Sequence, residues 1–167
     1  DASVKNRSVL DYEHPIIWID GNEQTTPRSM SSDTSQEETV LFKEEFIGEN
    51  HGRINRAEAE LVLQTLKEYI EKIGKERFLA ERLDVGIISP YKVQMQYLRQ
   101  QVRKREEFRP FRHAISVNTV DGFQGQERDI VMISFVRSND KGEIGFLSDL
   151  RRMNVAMTRA RMKLIIF

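Results

Sequence analysis

The sequence predicts an α/β fold, an open and mostly parallel sheet with helices on both faces. Three observations predict it. Several short runs are apolar at consecutive positions, as in strands buried on both faces of a sheet. Segments with helical periodicity stand between these runs. The length, 167 residues, is that of a single domain on the usual scale of roughly 100–200 residues.

Pro15-Ile16-Ile17-Trp18-Ile19-Asp20 reads as a buried strand closed by Gly21. From Gln24 to Thr39 there are eight Ser or Thr in sixteen residues and one large apolar side chain, Met30. That stretch, 24–39, reads as an exposed loop, because it buries too little surface to offset its ordering entropy. Asn55-Arg56-Ala57-Glu58 has the spacing of a capping box. The helix it opens carries Ala59, Val62, Leu63, Leu66, Ile70 and Ile73 on one stripe, and Gly74 is its stop. A second apolar strand covers Asp84 to Ser89, and Pro90 turns it into a helix with Tyr91, Met95, Leu98 and Val102 on one face. Ala114–Val117 and Ile130–Phe135 read as the third and fourth strands. A helix from about Ser148 to Ala160 leads into the last strand, Lys163 to Phe167. In open α/β sheets ligands gather beyond the carboxyl ends of the strands, so the turns after Ser89, after Val117 and around the final helix are where chemistry is expected.

Composition excludes several classes. Cysteine is absent, which removes disulfide scaffolds, thiolate metal sites and cysteine nucleophiles. His14, His51 and His113 are far apart and lack metal-ligand spacing, so no metal site is expected. No apolar run approaches the roughly 20 residues of a membrane span, and the first residues carry no signal-peptide pattern, so no membrane partner is expected. The chain opens with Asp1 rather than Met and is expected to be part of a longer protein. Formal charge is zero, but residues 1–50 hold 4 basic and 11 acidic side chains and residues 51–167 hold 22 and 15. A body of net +7 suits phosphates, and equally a solvated surface.

Two stretches carry chemistry. The segment from Thr119 to Glu127, TVDGFQGQE, is longer than an ordinary connection and mixes hydroxyl, amide and carboxylate groups with two glycines, which let a backbone approach a ligand closely. A tight turn is the competing reading. The segment Arg151 to Arg161 places four arginines around one short helix, and on a helix Arg152 and Arg159 share a face about 10 Å apart. Arginines complement a helix C-terminus, but a planar guanidinium aimed at a crevice also binds phosphate bidentately.

Taken in order, ISPYKVQ, VNTVDGFQGQERDIVMISFVRSN and GFLSDLRRMNVAMTRAR resemble motifs IV, V and VI of superfamily 1 helicases. The likeness is greatest to the 5′→3′ branch that includes the nonsense-mediated-decay and immunoglobulin mu-binding helicases. It spans most of residues 54–167. The resemblance implies the second of two RecA-like motor domains, 1–167, a P-loop NTPase fold without its own P-loop. No G-x-x-x-x-G-K-[ST] occurs, so the first domain with its phosphate loop and magnesium ligands is expected upstream. Asp20 is followed by Gly21 rather than Glu and is read as a strand terminus.

Residue by residue, the resemblance makes Arg159 the arginine that reaches the γ-phosphate, with Arg152 and Arg161 as secondary candidates. Gly125 and Glu127 fall beside the nucleotide. Ser89, Pro90, Tyr91, Gln94, Thr119, Asp121 and Gln124 fall beside nucleic acid. The implied cofactors are ATP and Mg2+. The implied partners are single-stranded DNA or RNA and the upstream domain, in a cytoplasmic or nuclear protein. The isolated chain is expected to be inactive. A non-catalytic binding module that kept the fold is the competing reading, which a Walker A lysine upstream would decide against.

Overall fold

The computed structural model describes residues 14–19, 43–47, 52–123, 125–136 and 145–167, apart from the side chains of 146 and 147. The stretch 24–39, Asp20, Gly21 and Gln124 lie outside the described residues. The first helix shows how local chemistry sets an element. The Asn55 side chain accepts from the Glu58 N–H at 3.0 Å and opens α1 (Arg56–Ile73). At its end Gly74 adopts φ +93°, and its N–H closes on the Ile70 and Glu71 carbonyls. All six apolar positions of the predicted stripe are buried. A short second helix, α2 (Lys75–Ala80), adds Phe78 to the same core.

Five strands form one parallel sheet. They are β1 (Ile16–Trp18), β4 (Val85–Ile88), β5 (Ile115–Asn118), β6 (Arg128–Ile133) and β7 (Ala160–Ile166), in the order β1-β7-β6-β4-β5. Helix α3 (Lys92–Lys104) and a 3-10 helix over Glu106–Ala114 connect β4 to its neighbour β5. The chain then crosses β4 to reach β6, and α4 (Leu150–Met157) connects β6 to β7. Alternate side chains sort to two faces. Val85, Ile87, Ile130, Met132 and Ile165 pack under α1, α2 and α3. Ile88, Val131, Ile133, Leu164 and Ile166 pack under α4 and the residues that follow β5, including Val120 and Phe123. The predicted fold class is the observed one.

Several boundaries differ, each for a physical reason. The first strand is not buried: Ile16 and Trp18 are 50% and 66% exposed, because β1 is the outermost strand and pairs only with β7 among the described residues. The fourth strand starts two residues early, at Arg128. The polar pair Arg128-Asp129 is tolerated there because Asp129 exchanges hydrogen bonds with Asp84, its N–H donating at 2.7 Å and its carboxylate accepting from the Asp84 N–H at 3.1 Å. The last strand starts at Ala160 rather than Lys163. Lys163 is fully buried, with its ammonium donating to the His14 carbonyl and facing the Tyr69 ring. A hairpin of β2 (Glu45–Ile47) and β3 (Gly52–Ile54) has no counterpart in the sequence reading. No helix among the described residues is long and apolar enough to cross a membrane.

Candidate functional site on two edges of one sheet

The chain moves outward from β4 to β5 and then returns to β6, so the strand order reverses between β4 and β6. A ligand crevice is expected beyond their carboxyl ends. That position is filled. Ser89 follows β4 and Ser134 follows β6, and both are fully buried. Gln94, on the first turn of α3, is fully buried as well. Its Oε1 accepts from the Asn55 N–H at 3.0 Å, and its Nε2 donates to the Asn55 carbonyl and the Ser134 hydroxyl, each at 3.0 Å.

Glu58 completes the plug. It accepts from the Ser134 hydroxyl at 2.5 Å and from the Val136 N–H at 2.9 and 3.1 Å. Asn55 Nδ2 donates to the Val136 carbonyl at 3.4 Å. Half of the predicted capping box is thus absent. Asn55 caps the helix, but the Glu58 carboxylate turns to β6 and Gln94 takes the Asn55 N–H. Burial pushes the Glu58 carboxyl above its usual range, against the hydrogen bonds from Ser134, Val136 and Phe135, which lower it. Ser89 and Gln94, expected to face nucleic acid, correct to interior positions. The Ser89 hydroxyl accepts from the Tyr91 N–H at 3.4 Å, and the Gln94 amide is spent on its neighbours.

What remains open on the carboxyl edge lies around this plug. Pro90 and Tyr91 are half-buried at the start of α3. Thr119 follows β5, its N–H donating to the Asn118 side chain at 2.9 Å. Asp121 is exposed and pairs with Arg152 at 2.7 Å. Arg152 lies in the first turn of α4, where its own N–H donates to the Asp149 cap at 3.2 Å. It therefore stands with Asp121, away from Arg159 at the other end of α4.

The remaining candidates, late in the segment after β5 and just past the final helix, stand on the amino edge of the sheet rather than beyond the carboxyl ends of its strands. Gly125 is exposed at φ +72°, a left-handed turn that glycine adopts without strain. Two residues on, Glu127 is exposed, and its carboxylate makes no hydrogen bond or ion pair among the described residues. Arg128 begins β6, and its N–H donates to the Arg159 carbonyl at 2.9 Å. Arg159 is half-buried just past α4. Its guanidinium donates to the Val155 carbonyl at 3.0 Å and the Thr158 hydroxyl at 3.3 Å, with no carboxylate partner among the described residues.

Arg161 differs. It pairs with Asp84 and Asp129, each at 3.0 Å, and Asp129 is 2% exposed. Burial disfavours its charge, but Asp129 and Asp84 outweigh that and raise its pKa. Arg161 thereby ties the amino ends of β4, β6 and β7 together. No group of three His, Asp or Glu side chains among the described residues offers a metal site, and Asp84 and Asp129 are taken by Arg161.

The family model described as AAA domain matches residues 2–167. The chain is 33% identical over 99% of its length to the DNA polymerase alpha-associated DNA helicase A of Saccharomyces cerevisiae, and spans 23% of that protein. It is 41% identical over 99% of its length to an uncharacterized ATP-dependent helicase of Methanocaldococcus jannaschii, spanning 22% of it. The regulator of nonsense transcripts 1 homolog of Neurospora crassa is 39% identical over 75% of the chain, which spans 11% of that protein. This chain belongs to the superfamily 1 helicases. The helicase chain is thus a quarter or less of the length of these relatives.

Sequence reasoning on this helicase chain missed three groups at its two edges. Glu58 was visible only as a capping residue, since its partners lie 76 and 78 positions away. The Asp84–Asp129–Arg161 cluster joins three strands and has no local spacing. Arg128 sits directly after the recognised Glu127. A cation following that carboxylate at a strand start was the available signal.

Proposed function

We propose that this chain is the second RecA-like motor lobe of an ATP-dependent helicase. In this reading a first lobe upstream supplies the phosphate loop and the Mg2+ ligands, and ATP is held between that lobe and the amino edge. Single-stranded DNA or RNA crosses the carboxyl edge. One observation carries the reading. Residues 119–127 start beside Thr119 and Asp121 on one edge and end at Gly125 and Glu127 on the other, so a single short segment spans both candidate sites.

Arg159 is assigned the role of the phosphate-sensing arginine. Its present partners are a helix-end carbonyl and a hydroxyl, both neutral, and a phosphate oxygen competes well with either, because charge-assisted bonds are roughly twice as strong as neutral ones. Stabilisation of the charge that develops during phosphoryl transfer is what such an arginine supplies, worth about 10³–10⁵ in rate. Glu127 and the Gly125 backbone border the nucleotide. Arg161 serves as the tie beneath them, and Arg152 as the partner of Asp121. Pro90, Tyr91, Thr119, Asp121 and Gln124 border the nucleic acid, with Ser89 and Gln94 fixing that edge from inside. Contacts to the strand backbone make binding sequence-tolerant and salt-sensitive.

Hydrolysis of the triphosphate leaves Arg159 less charge to hold. The lobes part, and alternate gripping of the strand gives translocation and unwinding. The test is nucleic-acid-stimulated ATP hydrolysis by the full-length protein, and by this chain alone. The full-length protein hydrolyses ATP, and the lobe alone does not rise above background. Full turnover by an Arg159→Ala full-length protein overturns the assignment.

A further inference from the structure

We propose that Arg128 is a positioning residue for the nucleotide edge, a clasp that holds the end of the 119–127 crossover against the sheet. The proposal rests on the reading that this edge receives a nucleoside triphosphate. Arg128 gathers four neutral partners. Its Nη1 donates to the Glu127 carbonyl at 2.8 Å, and its Nη2 donates to the Gln126 side chain at 3.1 Å and the Ser116 hydroxyl at 3.4 Å. The guanidinium carbon lies 5.4 Å from the centre of the Phe123 ring. Three of these groups belong to the crossover, and the fourth is on β5. One side chain therefore staples Phe123, Gln126 and Glu127 to the outer strand of the sheet.

The strand beneath is shaped for it. A Cβ on Gly86 of β4 would stand 3.0 Å from Arg128 Cγ and 3.2 Å from the Phe123 ring, so glycine there is what lets the arginine stem and the ring lie flat across the sheet. The contrast with Arg161 sharpens the assignment. Arg161 meets two carboxylates and is neutralised. Arg128 meets a carbonyl, an amide, a hydroxyl and a ring, so its whole charge stays on the edge where Gly125 and Glu127 are presented and where its own N–H joins the Arg159 carbonyl. A planar fork makes this four-way contact, and an ammonium does not. The clasp holds groups that touch the nucleotide before as well as during reaction, so its loss acts on substrate binding rather than on turnover.

The experiment uses the full-length protein. Steady-state ATP hydrolysis with saturating single-stranded oligonucleotide, oligonucleotide affinity without nucleotide, and thermal midpoint are measured for Arg128→Gln, Arg128→Lys and Gly86→Ala, with Arg159→Ala as the control. Misplacing a positioned group costs up to about a hundredfold. The expected result is KM for ATP raised about tenfold or more by Arg128→Gln. Its kcat and oligonucleotide affinity stay near wild type. Arg128→Lys recovers little, and Gly86→Ala shifts KM the same way without touching a charge. An unchanged KM in Arg128→Gln overturns the proposal. So does full recovery by lysine, which marks a bare charge effect, or a parallel fall of every parameter with the thermal midpoint, which marks a purely structural role. If Arg159→Ala lowers kcat while Arg128→Gln is silent, only the clasp fails. If the wild-type protein shows no stimulated hydrolysis, the nucleotide reading fails and takes the clasp with it.

Discussion

The two edges of this sheet are built on opposite principles. The carboxyl edge between β4 and β6 is closed by Asn55, Glu58, Gln94 and Ser134, buried polar groups that satisfy one another. The amino edge leaves Glu127 exposed and gives Arg128 and Arg159 only neutral partners among the described residues. A satisfied buried network fixes one geometry, because each unmet member costs its desolvation. Guanidinium groups resting on carbonyls and hydroxyls exchange them readily for an anion. In the motor proposed above, rigidity falls on the edge assigned to the nucleic-acid strand, and availability on the edge assigned to the nucleotide, where a changing charge is to be sensed.

Four measurements break or sharpen that contrast. The largest effect belongs to Arg159→Ala in the full-length protein: kcat for ATP falls by about 10³ or more, while oligonucleotide binding without nucleotide holds. Next is Glu58→Ala, which strands the Ser134 hydroxyl and the Val136 N–H inside the plug and costs about 2–4 kcal/mol in urea denaturation of this chain. Arg161→Ala leaves Asp129 buried without its ion pair. Since Arg161 is itself 39% exposed, solvent screening reduces the loss to about 1–2 kcal/mol.

The smallest effect is a pH dependence. The native Glu58 carboxyl titrates above its ordinary 4.5, so the folded state holds this proton more tightly than the unfolded state does. Its contribution is complete below pH 4.5 and is lost as pH rises through the native value. Glu58→Gln, permanently neutral, therefore gains stability relative to wild type as pH is raised from 4 towards 8 in denaturant titrations. A flat difference across that range would mean that the plug carries no proton linkage.

Much of the fold was legible because its signals are local. Asn55, Gly74 and the six-residue apolar stripe specify α1 within one local stretch of chain, 55–74, and all of them behave as read. The apolar runs gave the parallel sheet, with ends displaced where polar residues find distant partners, as Asp129 does with Asp84. The candidate residues were legible as motifs, but their division between two edges was not. That division depends on the crossing of β4 by residues 119–127, and nothing in the spacing of Thr119 and Glu127 tells which edge each reaches. The burial of Gln94, which the resemblance set beside nucleic acid, was hidden for the same reason. Its three hydrogen bonds reach Asn55 and Ser134, 39 and 40 positions away, which no local spacing shows.

The outermost strand has a practical consequence. Trp18 is the chain's single tryptophan, it is 66% exposed, and it pairs with Ile166 at the carboxyl end of β7. Indole emission from this chain on its own is therefore a one-site optical gauge of how wet that corner is. Any body that seats there registers as a blue shift, without a label and without disturbing either candidate edge.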